Sequence, residues 1–475
     1  MTLNNLLQKA YDPDLFRKEG HELVEQLATY LENSINGTTK KVIDWKQPDD
    51  LYDQWKDYLQ KDVSSQQFFS DLIDQSIQLH NPRYMGHQVA VPLPVTALAS
   101  MVGALLNNGM AIYEMGPVAS VLEKWIVSHF AELIGNKDGD GFLTSGGTLA
   151  TLTALLSARQ AILKNDVWEN GMEGRLAIMV SEQAHYSVDK AARIMGLGAR
   201  GIIKIPVDAA YKMQTDQLEP LFQKAENDGL KVIAVVANGC STSTGTYDDL
   251  NAISKFCDSK NIWFHLDAAH GGGAIYSPKY KNLLNDIEKA DSVIIDLHKM
   301  LMGPALSTLV LFKNSDDSYK TFSQKAQYLW ENEQDKEWYN YAKRTLECTK
   351  LMMSVRFYAI IQAYGTEIFN EYVTRQYDLA REFAGMIEDH RDFELAAQPM
   401  SNIVCFRFDP KNELDLNKLN NRIRKKSLEK GEFYIVQTEL NGDTFLRVTL
   451  MNPFTETTHL QLLLKELIDI ADSIE

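Results

Sequence analysis

The feature of this 475-residue sequence that most narrows its fold is a series of short, largely apolar runs at residues 178–180, 202–205, 232–237, 262–266 and 293–295, with helix-like stretches between them. A strand with one wet face alternates apolar and polar residues. A run with little alternation needs cover on both faces, which is the condition of a mainly parallel sheet with helices packed on either side. The runs are too short to separate strand from helix by period alone, so their regular alternation with helical stretches carries the assignment.

The length exceeds one ordinary domain, and three regions are expected. Residues 1–60 read as a polar helical arm, on which Leu23, Leu27 and Leu31 recur at i, i+4 and i+8. Such a stripe needs cover from the main body or from a partner subunit. Residues 61–345 form the large α/β region. A helical segment over roughly 344–363 then leads into a change of rhythm from about 367: helix, strand (403–408), helix, two strands (433–436 and 445–450), helix. Residues 346–475 are therefore expected to be the linking helix and a small α+β domain. No internal repeat or low-complexity linker is visible.

Charge and cysteine usage exclude several classes. The formal net charge is −16, which disfavours nucleic acid and anionic membranes as partners. The four cysteines, Cys240, Cys257, Cys348 and Cys405, show neither disulfide nor zinc spacing. They read as reduced thiols of a cytoplasmic protein, and no metal is expected. The first twenty residues lack a secretory pattern, and no apolar stretch approaches the roughly 20 residues a bilayer requires.

Chemistry concentrates in two segments, His265-Leu-Asp-Ala-Ala-His-Gly-Gly-Gly273 and Asp291-Ser-Val-Ile-Ile-Asp-Leu-His-Lys299. Each begins in an apolar run, so Asp267, Asp296, His298 and Lys299 reach the carboxyl edge of the sheet, where ligands of open α/β folds bind. A lysine amine there can condense with an aldehyde cofactor. A carboxylate can keep a pyridine nitrogen protonated, so that the ring accepts electrons. The lysine needs a lowered pKa, or exchange with a substrate amine, to act near neutral pH. Singly, each residue has an ordinary reading as a cap, a turn or a surface group; it is their convergence that points to chemistry.

Two further elements fit. In Phe142-Leu-Thr-Ser-Gly-Gly-Thr148 a short strand meets two glycines and a strong helix. Gly146, Gly147 and Thr148 then offer backbone N–H groups and a hydroxyl to a phosphate at a helix N-terminus. The segment is neither a P-loop nor GxGxxG. His185, after the run at 176–180, reaches the same edge and can stack on a flat ring, or simply cap a helix.

These motifs, in this order, resemble the group II decarboxylases that depend on pyridoxal phosphate (PLP) and have fold type I. The resemblance covers roughly residues 75–450 and includes Asn81-Pro-Arg-Tyr84 and Tyr113-Glu-Met-Gly-Pro117. It implies a mainly parallel seven-stranded sheet, a small C-terminal α+β domain, a helical N-terminal arm and a homodimer with active sites at its interface. By the same resemblance Lys299 holds the cofactor, Asp267 faces its pyridine nitrogen, and His185 and Ala269 cover its two faces. Gly147 and Thr148 hold the phosphate, with His298 and Asp296 beside the lysine. Thr242 lies near the ring hydroxyl or the substrate carboxylate. Arg447 binds a substrate carboxylate or is a surface strand residue, and His87 and Gln88 join it as substrate contacts. Tyr339, on a polar loop over 324–344, returns a proton to Cα, with Tyr341 a close competitor.

The sequence also departs from the family pattern. Asp296-Leu-His-Lys stands for Asn-Pro-His-Lys, which requires Asp296 to point away from the phosphate or be neutralised. Cys240 replaces a glycine. Gly109 and Ala111 replace the Asn and Phe that line the glutamate pocket. The expected reaction is decarboxylation of a small L-amino acid, leaning to aspartate or glutamate. The alternatives are 2,4-diaminobutyrate or another diamino acid as substrate, or transamination.

Overall fold

The apolar runs become strands of one seven-stranded sheet. The computed structural model describes residues 5–39, 41–58, 60–163, 166–322, 336–411 and 415–474. The strands are β1 Asp140–Thr144, β2 Leu176–Ser181, β3 Ile202–Ile205, β4 Lys231–Asn238, β5 Trp263–Asp267, β6 Ser292–Asp296 and β7 Thr308–Phe312, in the order β1-β7-β6-β5-β4-β2-β3. Strands β6, β5, β4, β2 and β3 run parallel. Every residue of β2, β5 and β6 is buried, which explains the missing alternation. Each fully buried Val, Leu or Ile there is worth ~1.5–3 kcal/mol over exposure.

Strand β7 is antiparallel to both of its neighbours, β1 and β6. It follows β6 with no helix between, so a reading based on strand–helix alternation does not find it. Its first residue, Thr308, pairs with Thr144 at the end of β1 and with Asp296 at the end of β6. These three residues form one rung across the sheet.

The chain divides into two compact units, and not at the boundaries expected near 60 and 345. One comprises residues 1–87, 385–396 and 405–475, the other 88–384 and 397–404. The N-terminal residues belong with the C-terminal ones because their backbones bond: Val42 N–H donates to Gly431 O at 2.8 Å, and Met85 N–H to Tyr434 O at 2.9 Å. The first unit carries a four-stranded antiparallel sheet from β8 Phe393–Leu395, β9 Ile403–Phe408, β10 Val436–Leu440 and β11 Asp443–Thr449. The strand expected at 433–436 is displaced because Tyr434 bridges Tyr84, and β10 begins only at Val436. On the helix Pro13–Ile35 the leucine stripe is incompletely covered, with Leu27 still 40 % exposed.

The helix expected over 344–363 is also shortened. It runs from Met353 to Tyr364, preceded by a 3₁₀ turn at Tyr341–Lys343 and an irregular stretch. Two buried ion pairs tie that stretch to the edge of the sheet. Arg344, 0 % exposed, donates to Asp140 on β1 at 2.6 Å. Lys350 pairs with Glu123 on the helix Pro117–Leu133 and donates to Leu143 O at 2.7 Å. Glu123 also accepts from Leu143 N–H at 2.9 Å. Breaking such a pair strands a charge away from water, a loss of ~3–5 kcal/mol. Lys350→Met should therefore lower the unfolding free energy measured by urea titration by that amount, and Lys350→Met with Glu123→Gln should recover much of it. A single variant as stable as the parent would show the pair to be dispensable.

Candidate active site

In the second unit, the carboxyl ends of the parallel strands open into a cavity of about 420 Å³. Strand β5 ends at Asp267 and β6 at Asp296, with His298 and Lys299 in the next turn. Beyond β2, His185 is the N-cap of the helix Tyr186–Ile194, and it lines the cavity. Beyond β4 come Cys240 and Thr242. Beyond β1, Ser145 and Gly146 lead into the helix Gly147–Ile162. Lys299, Asp267, Ala269, His185, Gly147, Thr148, Thr242, His298 and Asp296 all line this one cavity.

Lys299 Nζ lies 2.9 Å from Asp296 Oδ2. Burial works against its charge, but Asp296, through charge and hydrogen bond, and Asp267 hold its pKa above the ordinary lysine value. Of the two routes open to this amine, a lowered pKa is not the one these surroundings favour, because two carboxylates outweigh desolvation. The partner shift is consistent, since Asp296 is held below the usual carboxylate range despite its burial, by Lys299, His298 and the Thr308 hydroxyl. Asp296 is therefore neutralised by pairing rather than turned away. His298 is fixed by its Nδ1, 2.8 Å from Ser307 O.

Asp267 behaves differently. Burial pushes its pKa up against the pull of Lys299 and His185, and Ala269 N–H donates to its Oδ1 at 3.1 Å. His185 is held below its ordinary value by burial, against the opposing pull of Asp267. Its Nδ1 accepts from Ser187 N–H at 3.3 Å, which leaves the proton of the neutral ring on Nε2. At the glycine pair, Gly146 has φ +116°, a conformation that needs glycine. A Cβ on Gly147 would come within 3.3 Å of Asp296 Oδ1. The residues fit PLP: an amine for its aldehyde, a carboxylate for its ring nitrogen, and a helix N-terminus, kept open by glycine, for its phosphate.

The remaining expected residues lie outside the lining of this cavity. In the second unit, Tyr339 sits edge-on to Tyr113, ring centroids 5.6 Å apart. Tyr113 N–H donates to Asn340 Oδ1 at 2.9 Å, and Ala342 N–H to Ala111 O at 3.0 Å. The Tyr113 motif and the tyrosine segment are thus one structural piece. Residues 324–335 of the expected loop lie outside the described residues. Tyr341 is buried and donates to Ser120 O at 3.2 Å. At Gly109 a Cβ would meet Met115 Cε at 2.8 Å and Thr349 Oγ1 at 2.9 Å. Gln88 is half-buried. In the first unit, Arg447 on β11 is buried rather than a surface residue. Beside it, packing and the guanidiniums of Arg447 and Arg424 keep the pKa of His87 low.

Two contacts had no local signal in the sequence. Thr308 bonds Asp296 from an antiparallel strand. Ser145, before the glycine pair, bonds Glu347 from the irregular stretch. Among the described residues, no cluster suits a metal ion and no helix is long and apolar enough to cross a membrane.

Comparison with known proteins bears on the family and the fold. The pyridoxal-dependent decarboxylase conserved domain matches residues 67–409. A mouse protein named acidic amino acid decarboxylase GADL1 is 29 % identical over 95 % of this chain and 86 % of its own. Aspartate 1-decarboxylase of Aliivibrio fischeri is 29 % identical over 85 % and 82 %. L-2,4-diaminobutyrate decarboxylase of Acinetobacter baumannii is 26 % identical over 87 % and 84 %. Among solved structures, mouse CSAD shares the fold with a TM-score of 0.90 at 24 % identity, over 97 % of this chain and 99 % of that one.

Proposed function

The chain belongs to the pyridoxal-dependent decarboxylase family and is a PLP-dependent lyase acting on an amino acid; from this premise we propose that it releases CO₂ from a short acidic L-amino acid, aspartate or glutamate, at the cavity around Lys299. The observation that carries the site assignment is the convergence of Lys299, Asp267, His185 and a helix N-terminus in that cavity. The acidic substrate is supported by the names of the mouse and Aliivibrio relatives. The Acinetobacter relative favours 2,4-diaminobutyrate as the second reading.

When bound, the cofactor supplies an electron sink for the bond that breaks. In the proposed division of labour, Lys299 holds the aldehyde carbon and Asp267 keeps the pyridine nitrogen protonated. His185 and Ala269 cover the ring, Gly147 and Thr148 hold the phosphate, and Thr242 and His298 position groups at the ring edge. Arg447 and His87 bind substrate carboxylate, Gln88, Gly109 and Ala111 shape the substrate's surroundings, and Tyr339 gives a proton to Cα. The protein's part in choosing the reaction would be to hold the substrate in one orientation through these residues.

A homodimer is part of the proposal. Leu98, Val102 and Leu105 on the helix Pro94–Leu106, and Val118 and Val121 on the helix Pro117–Leu133, leave large apolar side chains exposed, as an interface would. Sedimentation at the mass of one chain, in fully active protein, would sink this part. Cytoplasmic residence fits the four free thiols. The net charge of −16 fits a protein without nucleic-acid or membrane partners.

The test of the reaction is CO₂ release by cofactor-loaded protein from aspartate, glutamate, cysteine sulfinate, 2,4-diaminobutyrate, lysine, ornithine, tyrosine and DOPA. Release from aspartate or glutamate above all others is expected. Preference for a diamino acid would overturn the acidic substrate and keep the chemistry. No release from any of them, with cofactor bound, would overturn both.

A further inference from the structure

Two buried carboxylates face the cavity, and the proposed chemistry uses only Asp267. Asp296, 2 % exposed, closes β6 with Oδ2 on Lys299 Nζ at 2.9 Å and 3.6 Å from His298 Nε2. Its Oδ1 accepts from Thr308. The same carboxylate lies against the first residue of the helix Gly147–Ile162: a Cβ built on Gly147 would be 3.3 Å from Oδ1 and 3.6 Å from Oδ2. A fixed negative group therefore stands where the helix N-terminus would receive an anion.

The groups around Asp296 do not offset a second anion. Lys299 and His298 come from its own turn, Asp267 from the end of β5 and His185 from a helix cap. Thr308 on β7 brings a hydroxyl, and the Gly147 helix brings backbone N–H groups. Cys240 faces Lys299 and Asp267. Lys299 is the one ammonium among these groups, set against two carboxylates. A phosphate monoester adds roughly −1.5 to −2 charge at neutral pH, with a second pKa near 6. Condensation of the Lys299 amine with an aldehyde forms one C=N bond and expels the aldehyde oxygen as water. It also replaces an ammonium with three N–H groups by a nitrogen with at most one, which weakens the hold on Asp296.

We propose that Asp296 makes cofactor loading proton-coupled: because this carboxylate abuts the phosphate end of the cavity, it and the docked phosphate keep one proton between them, and the phosphate adds less to affinity as pH rises. The inference rests on the reading of the cavity as a PLP site. Sharing of one proton is the general response of two anionic oxygens forced close together.

The test is equilibrium binding, followed by protein fluorescence without turnover, of pyridoxal phosphate and of unphosphorylated pyridoxal between pH 6.5 and 9. Both bring the same aldehyde to Lys299, so the dissociation constant of pyridoxal divided by that of pyridoxal phosphate isolates what the phosphate adds. In the parent protein this ratio is expected to fall by up to about tenfold per pH unit above pH 7. In Asp296→Asn it should be flat and, at pH 8.5, at least about tenfold larger. Asp296→Ser serves the same purpose if the Asn variant does not fold. A flat ratio in the parent, or one unchanged by substitution, would overturn the inference while leaving the cofactor assignment intact. Failure of the parent to bind pyridoxal phosphate at all would overturn both.

Discussion

Lys299→Ala is expected to reduce CO₂ release to that of free cofactor in buffer, and to abolish the visible absorbance band that borohydride otherwise fixes to the protein. Among the described residues the cavity offers no substitute amine, since Lys299 is the only lysine of its lining. Among the described residues the buried lysines Lys350 and Lys343 are engaged elsewhere, with Glu123 and Glu337. After borohydride treatment of the parent protein, peptide mapping should place the cofactor on the peptide that contains Lys299. Near-normal turnover by the variant, or a label on another lysine, would refute the assignment.

Tyr339→Phe should lower kcat by about 10²–10⁴-fold, the usual contribution of a positioned proton donor, with KM changed only a few-fold. The informative control is Tyr341→Phe. That hydroxyl is spent on Ser120 O inside the core, so its loss should lower stability and leave kcat within a few-fold. The reverse pattern would give the proton to Tyr341. The bonds of Ala342 N–H to Ala111 O and of Tyr113 N–H to the Asn340 side chain tie the two segments together, so displacing Tyr113 should affect kcat through Tyr339.

The cavity was legible in the sequence because each of its members follows directly on a strand or opens a helix. An apolar run ending in Asp267, or a strand entering two glycines, states its own geometry. What stayed hidden depends on partners far along the chain. Arg344 and Lys350 fall within the helix expected over 344–363, where a charged side chain gives no sign of burial because such groups are rarely buried without a partner. Their carboxylates, Asp140 and Glu123, lie more than 200 residues away in sequence, so nothing local announces the pairing. Strand β7 was missed for a topological reason, since it breaks the strand–helix rhythm that revealed the others. Attachment of residues 1–87 to the C-terminal unit escaped detection because backbone bonds such as Val42 to Gly431 leave no mark on side-chain pattern.

The rung Thr144–Thr308–Asp296 has a mechanical meaning. The glycine pair Gly146–Gly147 follows β1 and the lysine follows β6, and β7 lies between those strands. A molecule anchored at both ends acts as a clasp across an intervening strand, and β1 is the last strand on its side of the sheet. Bound cofactor should then hold that outer strand in place, as any ligand selective for the folded state does. Amide hydrogens of residues 140–144 should exchange more slowly when the protein is loaded, by a larger factor than those of β2 on the far side. Equal slowing of both strands would mean that the cofactor stabilises the protein as a whole and clasps nothing.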